Sequence, residues 1–193
     1  FLDPKAFNKD SLIGVPGLFK CWLKKKVGIV NAIGTGVADD KVVYSYVNKM
    51  IVYYLGEQPA LNQVETYLCH DKIHRDYVLE NMSKLVVKPA NASGGYGIMI
   101  GPKASTKERE EVAQKIKKNP REYIAQPLET LSTAPTITEK NIERRHLDLR
   151  PFVLSGNTSY VTTGVLTRIA LRKGSTIVNS SQGGGSKDTL IVE

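Results

Sequence analysis

Residues 85–101 read LVVKPANASGGYGIMIG. Three apolar residues, Leu85 to Val87, run directly into Lys88. A lysine at the end of an apolar strand is unfavourable to bury unless an anion meets it. The turn behind it carries Ser93, Gly94 and Gly95, which lack bulk where backbone N–H groups could close over phosphate oxygens. Gly97 to Ile100 then returns as a second apolar run. Strand, lysine, Gly-rich flap and return strand together make a physical scheme for holding a polyphosphate. The plainer alternative is a glycine hairpin whose lysine lays its stem on apolar surface and keeps its ammonium in water.

Outward from this stretch, the pattern alternates between helical and extended segments, which predicts an α/β architecture. Downstream, Ser105 and Glu108 form a capping-box pattern and Pro120 is a stop signal, so a helix is expected over 106–118. A strand over 122–126 ends at Pro127. Upstream, helices are expected over 15–25, 39–54 and 71–81, with a buried strand over 27–31. The polar, Thr- and Pro-rich segment 128–141 is read as a lobe boundary. Beyond it the chain is β-rich, with strands expected over 147–154, 164–171, 176–179 and 189–192.

Two further stretches carry chemistry. Residues 145–150 read RHLDLR, and period-two spacing sets His146, Asp148 and Arg150 on one face of a strand. Arg168 sits similarly inside the apolar run VLTRIAL. Arginine within a half-buried strand fits clamping of a phosphate or carboxylate, because its planar fork binds such groups bidentately; an Asp148–Arg150 surface ladder is the competing reading. Near the end, Asn179 precedes a second Gly-rich run, Gly183-Gly184-Gly185, which also reads as a surface turn.

Composition narrows the classes. The chain has 193 residues, 41% hydrophobic and 24% charged, ordinary for a globular protein. It opens on Phe1 rather than Met and reads as an excised or processed piece. No apolar run approaches the roughly 20 residues that span a bilayer, and two widely separated cysteines, Cys21 and Cys69, favour a reduced cytoplasmic setting. The net charge of +8 favours an anionic partner. Its basic clusters, Lys24-Lys25-Lys26, Lys115-Ile116-Lys117-Lys118 and Arg144-Arg145, lack interleaved aromatics and read as solvated faces rather than a nucleic-acid surface.

Two look-alikes fail on chemistry. Gly34-Thr35-Gly36 imitates a dinucleotide fingerprint, but Asp39 stands at the third glycine position and would repel a pyrophosphate. Cys69, His70 and His74 have no fourth zinc ligand at suitable spacing. No GxxxxGK phosphate loop and no GxSxG elbow are present.

In order, the segments FLDPKAFNKDSLIGVPGL, NAIGTGVADDK, YYLGE, LVVKPANASGGYGIMIGP, YIAQP, RHLDLRPFVL, GVLTRIALRKGS and VNSSQGGGSKDT resemble the circularly permuted type 2 ATP-grasp family. From Asp40 onward the layout is also similar to glutathione synthetases, D-alanine–D-alanine ligases and ribosomal-protein glutamate ligases. The resemblance implies two lobes with mostly antiparallel sheets clamping a nucleotide, part of the fold lying outside this chain. Its division would be a leading segment over 1–40, a nucleotide lobe over 41–128 and a second lobe over 129–193.

The activity implied is that of an ATP-dependent carboxylate–amine ligase working through an acyl phosphate. A non-catalytic nucleotide-binding or assembly domain is the alternative. By the resemblance, Lys41 and Lys88 meet the nucleotide phosphates, and Ser93, Gly94 and Gly95 form the flap. Gln126 and Leu128 lie on the hinge near adenine. Asp148 and Arg150 match the family's Asp-x-Arg strand, Asp148 on the cofactor side and Arg150 among the catalytic residues; Arg168 and Asn179, also catalytic, match the Arg and Asn that face the γ-phosphate and acyl substrate, and Gly183, Gly184 and Gly185 close that side. Mg²⁺ is implied too, with its ligands expected upstream. Glu139-Lys140-Asn141 has the letters of the family's Glu-x-Asn pair but precedes the substrate strand, so it is set aside. The expected partners are ATP and a small-molecule or peptide carboxylate and amine.

Overall fold

The computed structural model describes residues 1–30, 33–92, 94–138, 141–176, 178 and 183–190. The chain divides into two compact units, Phe1–Tyr44 and Ser45–Glu193.

The first unit is organised by Asp3, which is buried at 1% exposure. Its carboxylate accepts from the backbone N–H of Lys5 at 2.9 Å, of Gly17 at 3.0 Å and of Phe19 at 3.0 Å. The last two are orphan donors at the start of helix α1, Leu18–Leu23, so a residue far back in sequence supplies its N-cap. Gly17 itself sits at φ 90, open to glycine and strained for other residues. Burial pushes the Asp3 carboxyl up, but the N–H bonds from Gly17, Phe19 and Lys5 outweigh it, and the net pKa lies below 3.8.

The linkage sign follows from that depression. Asp3 contributes its full stability above the ordinary carboxylate value, and the contribution is lost as pH falls through the lower folded value. Trp22, the chain's single tryptophan, lies in α1 and reports on this unit. Its fluorescence is expected to show an acid transition below pH 3.8 that Asp3→Asn removes; an unchanged transition in the variant would assign it to other groups.

Helix α1 is shorter than the expected 15–25. The strand expected over 27–31 does not form over its described residues: Val30 is 88% exposed and lies in a bend. An apolar run becomes a strand only when a ladder partner satisfies its backbone, and no described strand pairs with it. The helix expected over 39–54 is broken into α2, Gly36–Asp39, α3, Lys41–Tyr44, and, in the second unit, α4, Val47–Leu55. Asp40 causes the first break. Its backbone is extended at ψ 117 and its side chain accepts from Val42 N–H at 2.8 Å, replacing a helical bond with a local cap.

The second unit begins its sheets with β1, Tyr67–Leu68, followed by helix α5, Lys72–Asn81, capped by Asp71 accepting from His74 N–H at 2.9 Å. Strands β2, Leu85–Pro89, and β3, Met99–Ile100, flank the glycine-rich turn. Helix α6, Thr106–Lys118, has the complete Ser105–Glu108 capping box, and β4, Tyr123–Pro127, follows. The sheet is antiparallel in the order β1-β4-β2-β3. On one of its faces Leu85, Val87, Met99 and Ala125 pack with Val78 and Met82 near α5 and with Ile116 of α6. Each fully buried Val or Ile contributes about 1.5–3 kcal/mol, so this layer fixes where β2 ends and Lys88 emerges. Cys69 belongs to the same core; burial raises its thiol to about 11, only partly opposed by Arg75, which leaves it unreactive at neutral pH.

The second sheet contains β5, Thr133–Ile137, β6, Ile142–Arg150, β9, Gly164–Ala170, and β10, Gly184–Leu190, in the order β10-β9-β6-β5. A separate hairpin joins β7, Val153–Ser155, to β8, Ser159–Val161. The stretch 128–141, read from sequence as a lobe boundary, therefore contains β5. Pro135 is tolerated there because β5 is the sheet edge. Arg145 corrects a second expectation: it is not solvated but 8% exposed, paired with Glu143 at 2.5 Å and donating to the Leu171 carbonyl at 3.2 Å. Period two turns Arg144 outward and Arg145 inward, where an ion pair makes its burial tolerable. The strand expected over 189–192 already starts at Gly184; of the one expected over 176–179, residues 177 and 179 lie outside the described residues, and Thr176 and Val178 are not in a strand. Helices with antiparallel sheets give the mixed α and β class read from the sequence. Among the described residues no helix is long and apolar enough to cross a membrane.

Candidate functional site

Sequence-selected residues gather into two groups, one on each sheet of the second unit. On the first sheet, Lys88 lies opposite Ile124 and Gln126 lies opposite Val86, so both side chains share the face away from the α5–α6 core. That face is otherwise apolar, with Leu68, Val86 and Ile124 buried. Lys88 Nζ donates to Gln126 Oε1 at 2.6 Å. Gln126, itself 7% exposed, donates from Nε2 to Thr66 Oγ1 at 2.8 Å. Thr66 in turn donates to the Val64 carbonyl at 3.0 Å.

The electrostatics of this arrangement are specific. Gln126 is neutral, so it orients the Lys88 ammonium without cancelling its charge, as a carboxylate would. A half-buried cation on an apolar sheet face remains strongly attractive to an anion, because the local dielectric is below that of water. Beside it, between β2 and β3, Gly94, Gly95 and Gly97 all adopt left-handed φ values of 71, 82 and 72. At Gly97 an added Cβ would stand 2.9 Å from Pro89 Cγ. The turn thus depends on glycine for both conformation and clearance. Ser93 lies outside the described residues. Leu128, 42% exposed, is the first residue past the end of β4.

The second group spans β6, β9 and β10. Asp148 is opposite Arg168 on β9, and Arg168 is opposite Ser186 on β10, so the three form one cross-strand row. Arg150 Nε and Nη2 both approach Asp148 Oδ2 at 2.8 Å. The side chains of Asp148 and Arg150 are 32% and 42% exposed, enough for a ligand to reach. Arg168 is half-buried, with its Nε closed to solvent. His146 lies further along β6, its Nδ1 2.9 Å from the Leu131 carbonyl oxygen. Gly184 and Gly185 are not a turn but the start of β10, and Gly183 before them has φ 83. An added Cβ at Gly185 would reach 2.8 Å from Leu171 Cδ2. Asn179 lies outside the described residues.

Lys41 belongs to the first unit, where it opens α3. Burial lowers its pKa, while Asp40 and Asp39 act in the opposite direction. Thr66 and Ser186 are the neighbours that sequence reasoning did not select. For Thr66 the available signal was period two back from Leu68; for Ser186 it was the pairing register of β10. Neither signal says what the residue would meet until the strands are paired.

Comparison with known proteins bears on the family. The family model for circularly permuted ATP-grasp type 2 matches residues 1–170. A Synechocystis sp. protein, "Uncharacterized protein sll0335", is 55% identical over all of this chain, which covers 40% of that protein. "Uncharacterized protein Rv2411c" of Mycobacterium tuberculosis is 51% identical, again over the whole chain and 35% of its own length. "Putative glutamate--cysteine ligase 2-2" of Frankia casuarinae is 50% identical over 97% of this chain and 23% of that protein. The chain therefore spans less than half the length of these relatives. On the family match over most of its residues, it belongs to the circularly permuted type 2 ATP-grasp family.

Proposed function

We propose that this chain supplies the nucleotide-binding part of an ATP-dependent ligase that joins a carboxylate to an amine. The observation that carries this reading is the Lys88–Gln126 contact: a cation oriented by a neutral amide on a buried sheet, beside a turn of left-handed glycines. Lys88 would offset charge on the nucleotide phosphates, with the Gly94–Gly95 turn supplying backbone N–H groups. Leu128 and the Gln126 backbone would border the base. Asp148, Arg150 and Arg168, with Asn179 and the Gly183–Gly185 segment, would face the γ-phosphoryl group and the acyl substrate. Lys41 takes its role from the Asp40-Lys41 pair of the resemblance and is tested separately by Lys41→Ala.

A carboxylate oxygen attacks the γ-phosphorus and the bond to ADP breaks. The amine nitrogen then attacks the acyl carbon, inorganic phosphate leaves, and the nitrogen releases a proton. The contribution of this chain is positioning and charge stabilisation. The family resemblance also implies Mg²⁺. Among the described residues no group of three or more His, Cys, Asp or Glu side chains comes together as a metal site. The Frankia relative's printed name concerns glutamate and cysteine, and the match covers 23% of that protein. An amino-acid carboxylate and amine are accordingly the first substrates to try.

The test is ADP release by the full chain against panels of carboxylates and amines. Acceptor-stimulated release supports the ligase reading; ATP binding without it points to a non-catalytic nucleotide-binding domain. Lys88→Ala is expected to weaken ATP affinity by about 1–3 kcal/mol, roughly 5- to 150-fold, the scale of a charge-assisted contact. An unchanged titration would remove Lys88 from the nucleotide site.

A further inference from the structure

Resting on the nucleotide reading of Lys88, we propose that Thr66 is a positioning residue that aims the Lys88 ammonium through the side-chain amide of Gln126. The three residues form a one-way chain of hydrogen bonds across the sheet. Lys88 Nζ donates to Gln126 Oε1, Gln126 Nε2 donates to Thr66 Oγ1, and Thr66 Oγ1 donates to the Val64 carbonyl. Every direction is forced by chemistry. An ammonium only donates, so it must meet the oxygen end of the amide. The backbone carbonyl of Val64 only accepts, so the Thr66 proton points to it and a lone pair faces Gln126.

Thr66 therefore selects one of the two orientations of the Gln126 amide. In the other orientation the NH₂ group would face the ammonium, donor against donor, and the carbonyl would face the Thr66 oxygen. Leu68, Val86 and Ile124 surround this network with buried apolar surface, so the amide has few other partners and the selection is strong. Without the Thr66 hydroxyl, the Gln126 NH₂ group loses its acceptor inside that surface. Its oxygen is then held under Lys88 from one side only, and the ammonium is aimed less sharply. Thr66 thus touches no ligand; its effect passes through Lys88.

The experiment is titration of the full chain with ATP in the presence of Mg²⁺, for Thr66→Val, Thr66→Ser, Lys88→Met and the Thr66→Val/Lys88→Met double variant. Thr66→Val is expected to raise the Kd for ATP about 5- to 20-fold, the scale of one lost buried hydrogen bond. Thr66→Ser, which keeps the hydroxyl, is expected to stay within about 2-fold of the unsubstituted chain. In the Lys88→Met background, adding Thr66→Val should change the Kd by less than about 2-fold, because the group it aims is gone.

Equal loss in both backgrounds would make Thr66 a merely structural residue and overturn the proposal. Full affinity in Thr66→Val alongside weak binding in Lys88→Met would overturn it while leaving the nucleotide site intact. Full affinity in Lys88→Met would instead remove the nucleotide reading itself. Should Thr66→Val fail to fold, Gln126→Met takes its place: the same loss, again absent when Lys88 is methionine, supports the relay, and unchanged affinity overturns it.

Discussion

Replacing Arg168 with methionine is expected to slow acyl-phosphate formation by about 100- to 1000-fold while ATP affinity stays within about 5-fold, the pattern of a contact that strengthens in the transition state. The geometry behind this expectation is the cross-strand row of the second sheet. Arg168 lies in β9, an inner strand, with Asp148 opposite on one side and Ser186 on the other. Asp148 is already engaged by the guanidinium of Arg150 through Nε and Nη2. Two guanidinium groups thus stand near Asp148, Arg150 on its own strand and Arg168 opposite it on β9. A planar guanidinium there can meet two oxygens of a transferring phosphoryl group at once. On the proposed nucleotide reading, ground-state ATP would be held by other contacts, including Lys88, so binding should respond far less than turnover.

The measurement is hydroxylamine trapping, which converts an acyl phosphate to a hydroxamate that can be counted, alongside an ATP titration. Arg168→Lys provides the second reading. It keeps the charge but loses the fork, and should recover about 10-fold of the methionine variant's loss, since lysine acts only as a point charge. Wild-type hydroxamate rates in Arg168→Met would place this arginine away from the reacting phosphorus. A matching fall in ATP affinity and turnover would make it a ground-state binding residue instead.

What could be read from the sequence divides along a physical line. Helix α6 was legible because its signals are local: Ser105 and Glu108 cap each other within one turn, and Pro120 cannot continue a helix. Strands β2 and β3 were legible for a similar reason, an apolar run folding back on its neighbour through glycines. Segment 27–31 looks equally apolar yet its described residues form no strand, because pairing is a property of two segments and only one was in view. The helix expected over 39–54 failed at Asp40, whose carboxylate prefers capping Val42 to continuing the turn.

Site residues follow the same division. Lys88 announced itself as a charge at the end of an apolar run, and Asp148 with Arg150 as a period-two pair. Thr66 gave no such sign, since its partner Gln126 is 60 residues away and meets it only when β1 and β4 pair. The burial of Arg145 was hidden likewise, because the Leu171 carbonyl that receives it comes from a distant loop.

Substituting Gly101 with alanine should have the largest effect on stability, about 3 kcal/mol or more, at or beyond the upper end of ordinary single-residue losses. Gly101 is buried and begins the short 3₁₀ turn between β3 and α6. A Cβ built on it would lie 1.8 Å from the Met82 carbonyl oxygen and 2.5 Å from that of Leu85. Both obstacles are backbone, so no rotamer change relieves them. Met82 follows the end of α5, and Leu85 begins β2 and belongs to the same apolar core, so moving either carbonyl disturbs that packing. Because β2 carries Lys88 three residues later, the displacement should propagate to the candidate nucleotide site. Urea denaturation of Gly101→Ala is expected to show a much lower midpoint, and the fraction that remains folded should bind ATP weakly. A midpoint close to that of the unsubstituted chain would mean that the α5–β2 connection yields to a methyl group, and that the position of Lys88 is set less rigidly than this packing requires.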